Sequence, residues 1–485
     1  MIEDIFKSAV AYHNKKNFSK AKELYTNLLK TNPTNFIILQ NYAALLAQIK
    51  DYKNADDIFK KCLKIKPNDS LLLYNYGKFF QDQGIFDKAI QFYQKSLQSN
   101  PKNNMSQYNI GNIYLFEGKL ERAIDSFKKA IKINSSNFLA YNNIALSFKK
   151  LGNFNEALTF YKKAIDINKN YIEGHVNYSA MLLSLNKLDL GFQEYEWRKK
   201  SKIFSDYLSY SKLKINSPIW DGEKLDKKTI LIFSEQGIGD LIQFSRYLFL
   251  LRDKYQCNVI FRLKQDLLHF FKSDGIKVIT QNDKIPNHDY HNHLVSLPGI
   301  FYRKNKIFPP TINFIKENQK ITKKWDSVFN EYKGLKVGIN STASTATTGN
   351  RIVEIENFKH LTNLKKINFF IIQRDFKESD MKIINKNSNV NYFKDMDKNV
   401  KPFEDTISII KNLDLIITAD TYLGHLAATL GKKTWIALSF ISDWRWFQDK
   451  KKSAWYENVR LYRQKKIGNW EEVFKIIKKD LEKEF

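Results

Sequence analysis

Three polar residues near the end of the chain are spaced so that they could bind a phosphate group together. Asp420, Thr421 and His425 lie in the stretch Thr418-Ala-Asp-Thr-Tyr-Leu-Gly-His425, which follows a strand-like apolar run. A helix that begins here would direct unpaired backbone N–H groups, its positive dipole end and the Thr421 hydroxyl at one position. His425 would face the same position one turn further on. The alternative is that Asp420 or Thr421 only caps a helix and that His425 packs in its side.

A second candidate is Asp240, an acidic residue that follows a turn containing Gly237 and Gly239. The preceding segment 229–234 is apolar and of strand length, and an apolar-periodic run extends to Leu251. Strand, glycine turn and helix is the order that begins a doubly wound sheet. Asp240 lies where such a helix would begin, so capping alone would explain it.

Strand-like segments recur through the second half of the chain, at 258–263, 277–280, 335–340, 368–373 and 413–418. Their alternation with helix-like segments predicts parallel strands. Because the pattern restarts after Pro309-Pro310, we expect two α/β units. The carboxyl ends of their strands would form a cleft, which is the usual ligand position in such sheets.

The first two hundred residues repeat with a period of 34, and asparagine recurs at that step as Asn41, Asn75, Asn109, Asn143 and Asn177. The eighth residue of each repeat is small and the twenty-fourth is aromatic, so two helices could approach closely while rings fill the remaining space. Proline closes each of the first three repeats, where it cannot continue a helix. The pattern predicts six helical hairpins that resemble tetratricopeptide repeats.

The five asparagines occupy equivalent positions of successive first helices, which predicts a ladder along the inner groove of a solenoid. Amides offer two donors and an acceptor, so such a ladder could bind the backbone of an extended peptide. It resembles the ladder in the repeats of eukaryotic O-linked N-acetylglucosamine transferases, which implies a polypeptide acceptor or partner. Alternatively, the asparagines satisfy groups between adjacent helices or reflect an Asn-rich composition.

Both ends of the α/β part resemble glycosyltransferases that carry tetratricopeptide repeats and are related to the lipopolysaccharide heptosyltransferases. The start of that domain resembles Trp220-Asp-Gly-Glu223 and the segment 234–247. Its end resembles the segment 420–425, Ser442-Asp-Trp-Arg-Trp446 and the segment 460–464. Together with the repeats, the resemblance covers nearly the whole chain.

The resemblance implies a GT-B fold and an inverting, metal-independent transfer of a hexosyl or heptosyl group from a nucleotide sugar, without a further cofactor. Asp240 would be the general base on the acceptor hydroxyl, because a carboxylate in a closing cleft can have a raised pKa. The nucleotide sugar would lie mainly on the second lobe, where the donor-binding residues would be Asp420, Thr421, Gly424, His425 and Arg351. The acceptor would be a protein or a glycan recruited by the repeats.

The loop at 341–350 departs from the pattern of that family. It is rich in Ser and Thr where a Trp-containing strand exit and a polar segment are expected, and only Arg351 is retained. Its hydroxyls and backbone could still bind phosphate, or the loop could belong to a protein that has lost turnover. The second hypothesis is therefore a noncatalytic repeat scaffold whose degenerate α/β domain serves protein–protein interaction.

These patterns predict an α-helical tetratricopeptide-repeat solenoid followed by an α/β domain of GT-B type with two Rossmann-like lobes. The expected boundaries are 1–203 for the solenoid, 204–228 for a linker, 229–332 for the acceptor-side lobe, and 333–485 for the nucleotide-sugar lobe with a terminal helix.

The net charge of +28 raises nucleic acids and anionic membranes as partners. The lysines are spread through the chain together with many Asn and Ile residues, which indicates a compositional bias rather than nucleic-acid binding. We expect no nucleic-acid partner and at most peripheral membrane contact. His288, His291 and His293 do not have the spacing of a zinc site, so no metal is predicted. The absence of a long apolar run and of a leader-like start predicts a cytoplasmic protein.

Overall fold

The computed structural model describes residues 2–201, 204, 215–235, 237–306, 308–341, 353–373 and 378–485. These residues form two compact units, which divide between Gly174 and His175. The first unit is built from helices, and the second contains two parallel sheets. The division lies before residue 203, the predicted end of the solenoid, because the sixth hairpin packs mainly with the α/β part.

The first unit consists of five pairs of consecutive helices. They are α1 (Ile2–Asn14), α2 (Phe18–Thr31), α3 (Phe36–Gln48), α4 (Tyr52–Ile65), α5 (Ser70–Asp82), α6 (Phe86–Ser99), α7 (Asn104–Phe116), α8 (Leu120–Ile133), α9 (Phe138–Leu151) and α10 (Phe154–Ile167). An Asn or Asp side chain precedes several of them and accepts hydrogen bonds from the first backbone N–H groups, as at Asn35, Asp69 and Asn103. Because these caps determine where a helix begins, part of the chain's asparagine content is structural.

Small residues at the eighth repeat position allow the two helices of a hairpin to approach. A methyl group on Gly77 in α5 would lie 2.8 Å from the ring of Tyr93 in α6. One on Gly111 in α7 would lie 2.6 Å from the ring of Phe127 in α8. Both rings are fully buried, so the predicted pairing of a small residue with an aromatic one is confirmed in these hairpins.

The first sheet of the second unit contains β1 (Thr229–Phe233), β2 (Asn258–Leu263), β3 (Ile276–Thr280) and β4 (Tyr290–His293). Its parallel strands lie in the order β3-β2-β1-β4. The strands β1, β2 and β3 correspond to predicted segments, whereas β4 is a polar edge strand without an apolar pattern. The sheet and the helices α13 (Ile238–Phe244), α14 (Arg246–Tyr255) and α15 (Leu297–Asn305) form the first lobe.

The sixth hairpin consists of α11 (Ile172–Ser184) and α12 (Leu188–Tyr195), and a 3-10 helix follows at Glu196–Lys200. The helix α12 packs directly on α15 of the first lobe. A methyl group on Gly299 of α15 would lie 2.8 Å from Cβ of Phe192 in α12, a separation that leaves no room for any side chain. The last predicted repeat is therefore a structural part of the α/β unit.

The second lobe is built on the sheet β5 (Leu335–Asn340), β6 (Ile367–Ile371), β7 (Val390–Tyr392), β8 (Leu415–Ala419), β9 (Thr434–Leu438) and β10 (Val459–Arg463). The strand order is β10-β9-β8-β5-β6-β7, again parallel. Its helices are α16 (Gln319–Asn330), α17 (Lys359–Thr362), α18 (Glu378–Lys386), α19 (Glu404–Lys411), α20 (Tyr422–Thr429) and α21 (Trp470–Glu484). The strands β5, β6 and β8 were predicted, and β7, β9 and β10 were not.

Both faces of the second sheet are buried. Leu415 and Ile417 of β8 lie in an apolar cluster with Phe474 of α21. Ile416 points to the opposite face and joins a cluster that continues into the first lobe, where it includes Phe244 of α13. This shared core holds the two lobes together and explains why β8 reads as a continuous apolar run.

Candidate functional site

The second sheet reverses its strand order between β5 and β8, since β6 lies beyond β5 and β9 lies beyond β8. Ligands of open parallel sheets bind outside the carboxyl ends of the strands at such a reversal. Asn340 ends β5, and its Oδ1 accepts a hydrogen bond from Thr421 Oγ1 at 3.3 Å. The junction at Asp420 and Thr421, predicted to bind phosphate, therefore lies at this edge of the sheet.

Thr421 is also the N-cap of α20, because its Oγ1 accepts a hydrogen bond from the backbone N–H of Leu423 at 3.3 Å. Gly424, which was predicted to bind the nucleotide-sugar donor, faces the sheet. A methyl group there would lie 3.0 Å from Ile436 Cδ1 and 3.3 Å from Thr418 Cγ2. Gly424 thus allows α20 to lie close to β8 and β9, and its place in the structure is explained by packing.

His425 is enclosed by aromatic residues. It is 5% exposed, its ring stacks on Trp446 with centroids 5.0 Å apart, and its Nδ1 lies 3.1 Å from the Tyr456 hydroxyl. Burial lowers the pKa of His425 to about 3, so the imidazole is neutral near pH 7. A neutral ring in this position brings no positive charge to the site.

The helices that follow β1 and β8 touch each other across the two lobes. A methyl group on Gly239 of α13 would lie 3.2 Å from His425 Cδ2 and 3.7 Å from the Cα of Tyr422. The second glycine of the predicted turn is thus required by the close approach of α13 to α20. Gly237 precedes α13, and a methyl group there would have only Asp240 Oδ2 nearby, at 3.9 Å. The two strand–turn–helix junctions are therefore neighbours in space.

Asp240 lies in the first turn of α13, and its Oδ2 accepts a hydrogen bond from the backbone N–H of Gly237 at 3.3 Å. Capping, the structural alternative for this residue, is therefore realised. Its Oδ1 also accepts a hydrogen bond from Arg445 in an ion pair that links the two lobes. Burial raises the pKa of Asp240 although Arg445 opposes this effect.

Arg445 is a charged residue of the site that was not among the predicted site residues. Its side chain is mostly buried, with 8% of the residue exposed, and its Nη1 donates to Asp443 Oδ1 at 2.6 Å while Nη2 donates to Asp240. The guanidinium also lies 4.6 Å from the centroid of the Trp444 ring. The Ser442-Asp-Trp-Arg-Trp446 motif contained the signal, because a charge between two tryptophans requires a buried partner.

The same motif contacts the junction at Asp420 and Thr421 through Trp446, whose Nε1 donates to Asp420 Oδ1 at 2.7 Å. Arg463, at the end of β10, donates to the carbonyl oxygen of Trp446 at 3.2 Å, to that of Phe447 and to the Ser442 hydroxyl. Burial lowers the pKa of Arg463 to about 10, so it remains a cation near pH 7. The edge of the second sheet thus carries two guanidinium groups, of which that of Arg445 is buried and that of Arg463 is half-buried.

A buried ionic network lies behind the glycine turn of the first lobe. Arg198 donates to Glu235 Oε1 at 2.7 Å and to Oε2 at 3.1 Å, and to Ser296 Oγ at 2.9 Å. Glu235 Oε1 also accepts a hydrogen bond from the backbone N–H of Val295 at 2.9 Å. Since Arg198 follows the sixth hairpin and Glu235 follows β1, this network positions the hairpin on the carboxyl end of the first sheet.

A cavity of about 640 Å³ opens beside the glycine turn. It is lined from the first lobe by Ser234, Gly237, Leu241 and Lys264, and from the second lobe by Phe403. This volume is within the range of small-molecule sites. The cavity thus lies at the carboxyl end of β1 and next to the helix that carries Asp240.

The remaining predictions for this region concern Arg351, the loop 341–350 and the histidines. Arg351 and residues 342–350 lie outside the described residues. His291 Nδ1 lies 3.0 Å from Ser217 Oγ, and burial lowers the pKa of His293 well below its usual range. Within the part of the chain that the structure describes, no three His, Cys, Asp or Glu side chains are grouped as a metal site.

Comparison with known families identifies the first unit. Family profiles described as TPR repeat or tetratricopeptide repeat match residues 5–35, 38–69, 71–103, 111–152 and 138–171. Residues 5–171 carry tetratricopeptide repeats. No curated protein matches the chain.

Three solved structures each resemble less than half of the chain. PilF of Pseudomonas aeruginosa is 18% identical with a TM-score of 0.37, over 41% of this chain and 90% of that protein. MamA is 23% identical with a TM-score of 0.31, over 34% of this chain and 96% of that protein. YrrB, described as a tetratricopeptide repeat protein with an unusual peptide-binding site, is 16% identical with a TM-score of 0.31, over 37% of this chain and 93% of that protein.

The asparagines of the tetratricopeptide repeats have different surroundings. Asn109 Nδ2 donates to Tyr93 Oη at 3.1 Å and Asn143 Nδ2 to Tyr108 Oη at 3.2 Å, so both join neighbouring helices. Asn41 Nδ2 donates to the carbonyl oxygen of Ile37 in its own helix at 2.9 Å. Asn75 is half-buried, and no hydrogen bond of its amide is found among the described residues.

The predicted ladder is therefore not uniform. The amides of Asn109 and Asn143 have a structural role between helices, which is the alternative raised by the sequence. Asn177 belongs to the second unit, and its side chain is also not without a partner. Among the described residues, no helix is long and apolar enough to cross a membrane.

Proposed function

We propose that this chain is a glycosyltransferase of GT-B type that transfers a hexosyl or heptosyl group from a nucleotide sugar to an acceptor recruited by its repeats. The observation that carries the proposal is the contact between the two junctions at the carboxyl ends of the sheets. The junction after β1 contributes Asp240 and the junction after β8 contributes Asp420 and Thr421. A base and a phosphate-binding helix start that share one cleft are what the proposed transfer needs.

In the proposed reaction the acceptor oxygen attacks the anomeric carbon while the bond from that carbon to the diphosphate oxygen breaks. The configuration at the carbon is inverted, and the diphosphate leaves with the bonding electrons. Asp240 accepts the proton of the acceptor hydroxyl, a role for which the raised pKa of its buried carboxyl is suited. The start of α20 donates backbone N–H groups to the phosphates.

The tetratricopeptide repeats support an acceptor or partner that is a protein, because stacked helical hairpins form extended surfaces for binding polypeptides. The cavity of about 640 Å³ beside the glycine turn has room for the part of the acceptor that carries the reacting hydroxyl. A glycan attached to a protein would satisfy both requirements.

The proposal is tested by incubating the full chain with a panel of nucleotide sugars and measuring the release of nucleoside diphosphate. We expect release with one donor, and a loss of about a hundredfold or more in Asp240→Asn, because the amide keeps the shape but cannot accept a proton. Asp221→Asn is the control, since Asp221 forms an exposed ion pair with Arg303. No release with any donor, or equal release by Asp240→Asn, would argue against catalysis.

The second candidate is a noncatalytic repeat scaffold whose α/β domain serves protein–protein interaction. The observation that favours it is the ion pair of Asp240 with Arg445, which occupies the carboxylate that a general base needs. A scaffold would show normal folding and nucleotide-independent partner binding without turnover. Equal partner binding by the parent and by Asp240→Asn, with no sugar transfer by either, would support this candidate.

A further inference from the structure

The ion pair of Asp240 and Arg445 is unusual in its position. It joins two lobes at the carboxyl ends of both sheets, and both side chains are largely removed from water. Desolvating two charges costs free energy that their attraction often does not recover, so such a pair is weak support for stability alone. A role in binding a charged ligand would explain why it lies in this cleft.

The proposed diphosphate needs a cation, and few described residues can supply it. The His425 ring is neutral, and the Thr421 hydroxyl already caps α20. Arg463 donates to two backbone carbonyl oxygens and to a hydroxyl, which are uncharged groups that would lose their donor if it moved. Arg445 instead has two carboxylate partners, and an incoming phosphate oxygen can replace one of them while the other remains bonded.

We propose that Arg445 binds the diphosphate of the nucleotide sugar and that it leaves Asp240 when the donor binds. This inference rests on the proposed function. Asp443 remains bonded to Nη1 and keeps the guanidinium in place, while Nη2 turns from Asp240 to a phosphate oxygen. Asp240 is then free to accept the proton of the acceptor hydroxyl.

The exchange makes donor binding a condition for base activity. Before the donor binds, Arg445 holds Asp240 as a resting ion pair, so water is not activated in the cleft. After it binds, the positive charge of Arg445 lies on the leaving group and no longer stabilises the Asp240 carboxylate. Both changes favour transfer, because the leaving group is stabilised and the base becomes stronger.

The experiment is a double-mutant cycle of nucleotide affinity, measured by calorimetry on the full chain with ADP, UDP, GDP and inorganic pyrophosphate. Arg445→Gln should weaken binding by about tenfold or more, because a charged ligand of the phosphates is lost. Asp240→Asn should tighten it by about threefold or more, since the competing carboxylate is removed. In the Arg445→Gln background, Asp240→Asn should give no such gain, and Asp221→Asn should have no effect in either background.

Arg445→Lys keeps the charge if the glutamine variant does not fold, and it should weaken binding by a smaller factor. An equal gain from Asp240→Asn with and without Arg445 would overturn the exchange, because simple repulsion would then explain it. Loss of binding in Arg463→Lys but not in Arg445→Lys would assign the phosphates to Arg463 and overturn the inference alone. A chain that binds none of the probes and releases no nucleotide would overturn both this inference and the proposed function.

Discussion

Trp446 donates its indole N–H to Asp420 at 2.7 Å, while the face of the same ring stacks on His425 with centroids 5.0 Å apart. One side chain thus connects the strand exit of β8 with the buried face of α20. The hydrogen bond to a carboxylate and the ring contact are separate interactions, so they can be removed separately.

Trp446→Phe should destabilise the protein by about 1.5–3 kcal/mol, because the phenyl ring preserves the stacking but Asp420 loses a donor. The measurement is urea unfolding followed by circular dichroism. Trp444→Phe is the matched control, since Trp444 is also buried and no hydrogen bond of its indole is found among the described residues. Equal losses in the two variants would mean that the hydrogen bond contributes nothing beyond ring size.

His425 should make the protein sensitive to acid. Burial lowers the pKa of His425 to about 3, whereas an unfolded histidine has a pKa near 6.5. Between these values the unfolded chain binds a proton that the folded chain does not, so the free energy of unfolding falls as the pH falls below about 6.5. The expected loss from this residue is about 2 kcal/mol at pH 5 relative to pH 8.

The check is to measure the free energy of unfolding from pH 8 to pH 5 for the parent and for His425→Phe, which keeps an aromatic ring beside Trp446. The variant should lose less stability over this interval. Parallel curves would show that His425 is not buried as a neutral ring.

The asparagines of the repeats should separate into positions that stabilise the fold and positions that do not. Asn109→Ala should lower the melting temperature, because it removes the hydrogen bond from Asn109 to Tyr93 Oη that joins two helices. Such a bond contributes about 0.5–1.5 kcal/mol to the free energy of unfolding. Asn75→Ala should leave it nearly unchanged, since its amide has no hydrogen bond among the described residues. Both variants are compared by thermal unfolding.

Peptide capture by the two variants tests the groove separately. If the groove binds the backbone of a peptide, Asn75→Ala should lower the affinity for the peptide without changing the stability of the protein. Unchanged capture in this variant would leave the asparagines with a purely structural role.

The pair of Arg198 and Glu235 should be essential to the second unit. Arg198→Met leaves the buried Glu235 carboxylate without its cation, so we expect a loss of about 3–5 kcal/mol. Arg303→Met removes the exposed pair with Asp221 and should cost less than about 1 kcal/mol. The double variant Arg198→Met, Glu235→Gln should recover part of the loss, and urea unfolding measures all three. A loss in Arg198→Met no larger than that of Arg303→Met would contradict the structural role of the network.

The repeats and several of the strands could be predicted from residue order, because their signals are local. A small residue and an aromatic one recur at a constant spacing within each hairpin, and Gly77 and Tyr93 meet as that spacing predicts. The strands β1, β2, β3, β5, β6 and β8 are also apparent as short apolar runs. The polar β4 and the three-residue β7 lack such runs, and their place depends on pairing with a neighbouring strand.

The state of the candidate site depends on contacts between elements that are far apart in the chain. Asp240 and Arg445 are 205 residues apart in the chain, and no local pattern indicates that they form an ion pair. The neutral state of His425 results from its burial beside Trp446, Tyr456 and the backbone of α13, and the role of Gly424 results from the close approach of α20 to the sheet. Charge and contact at these positions depend on how distant elements exclude water, which residue spacing does not encode.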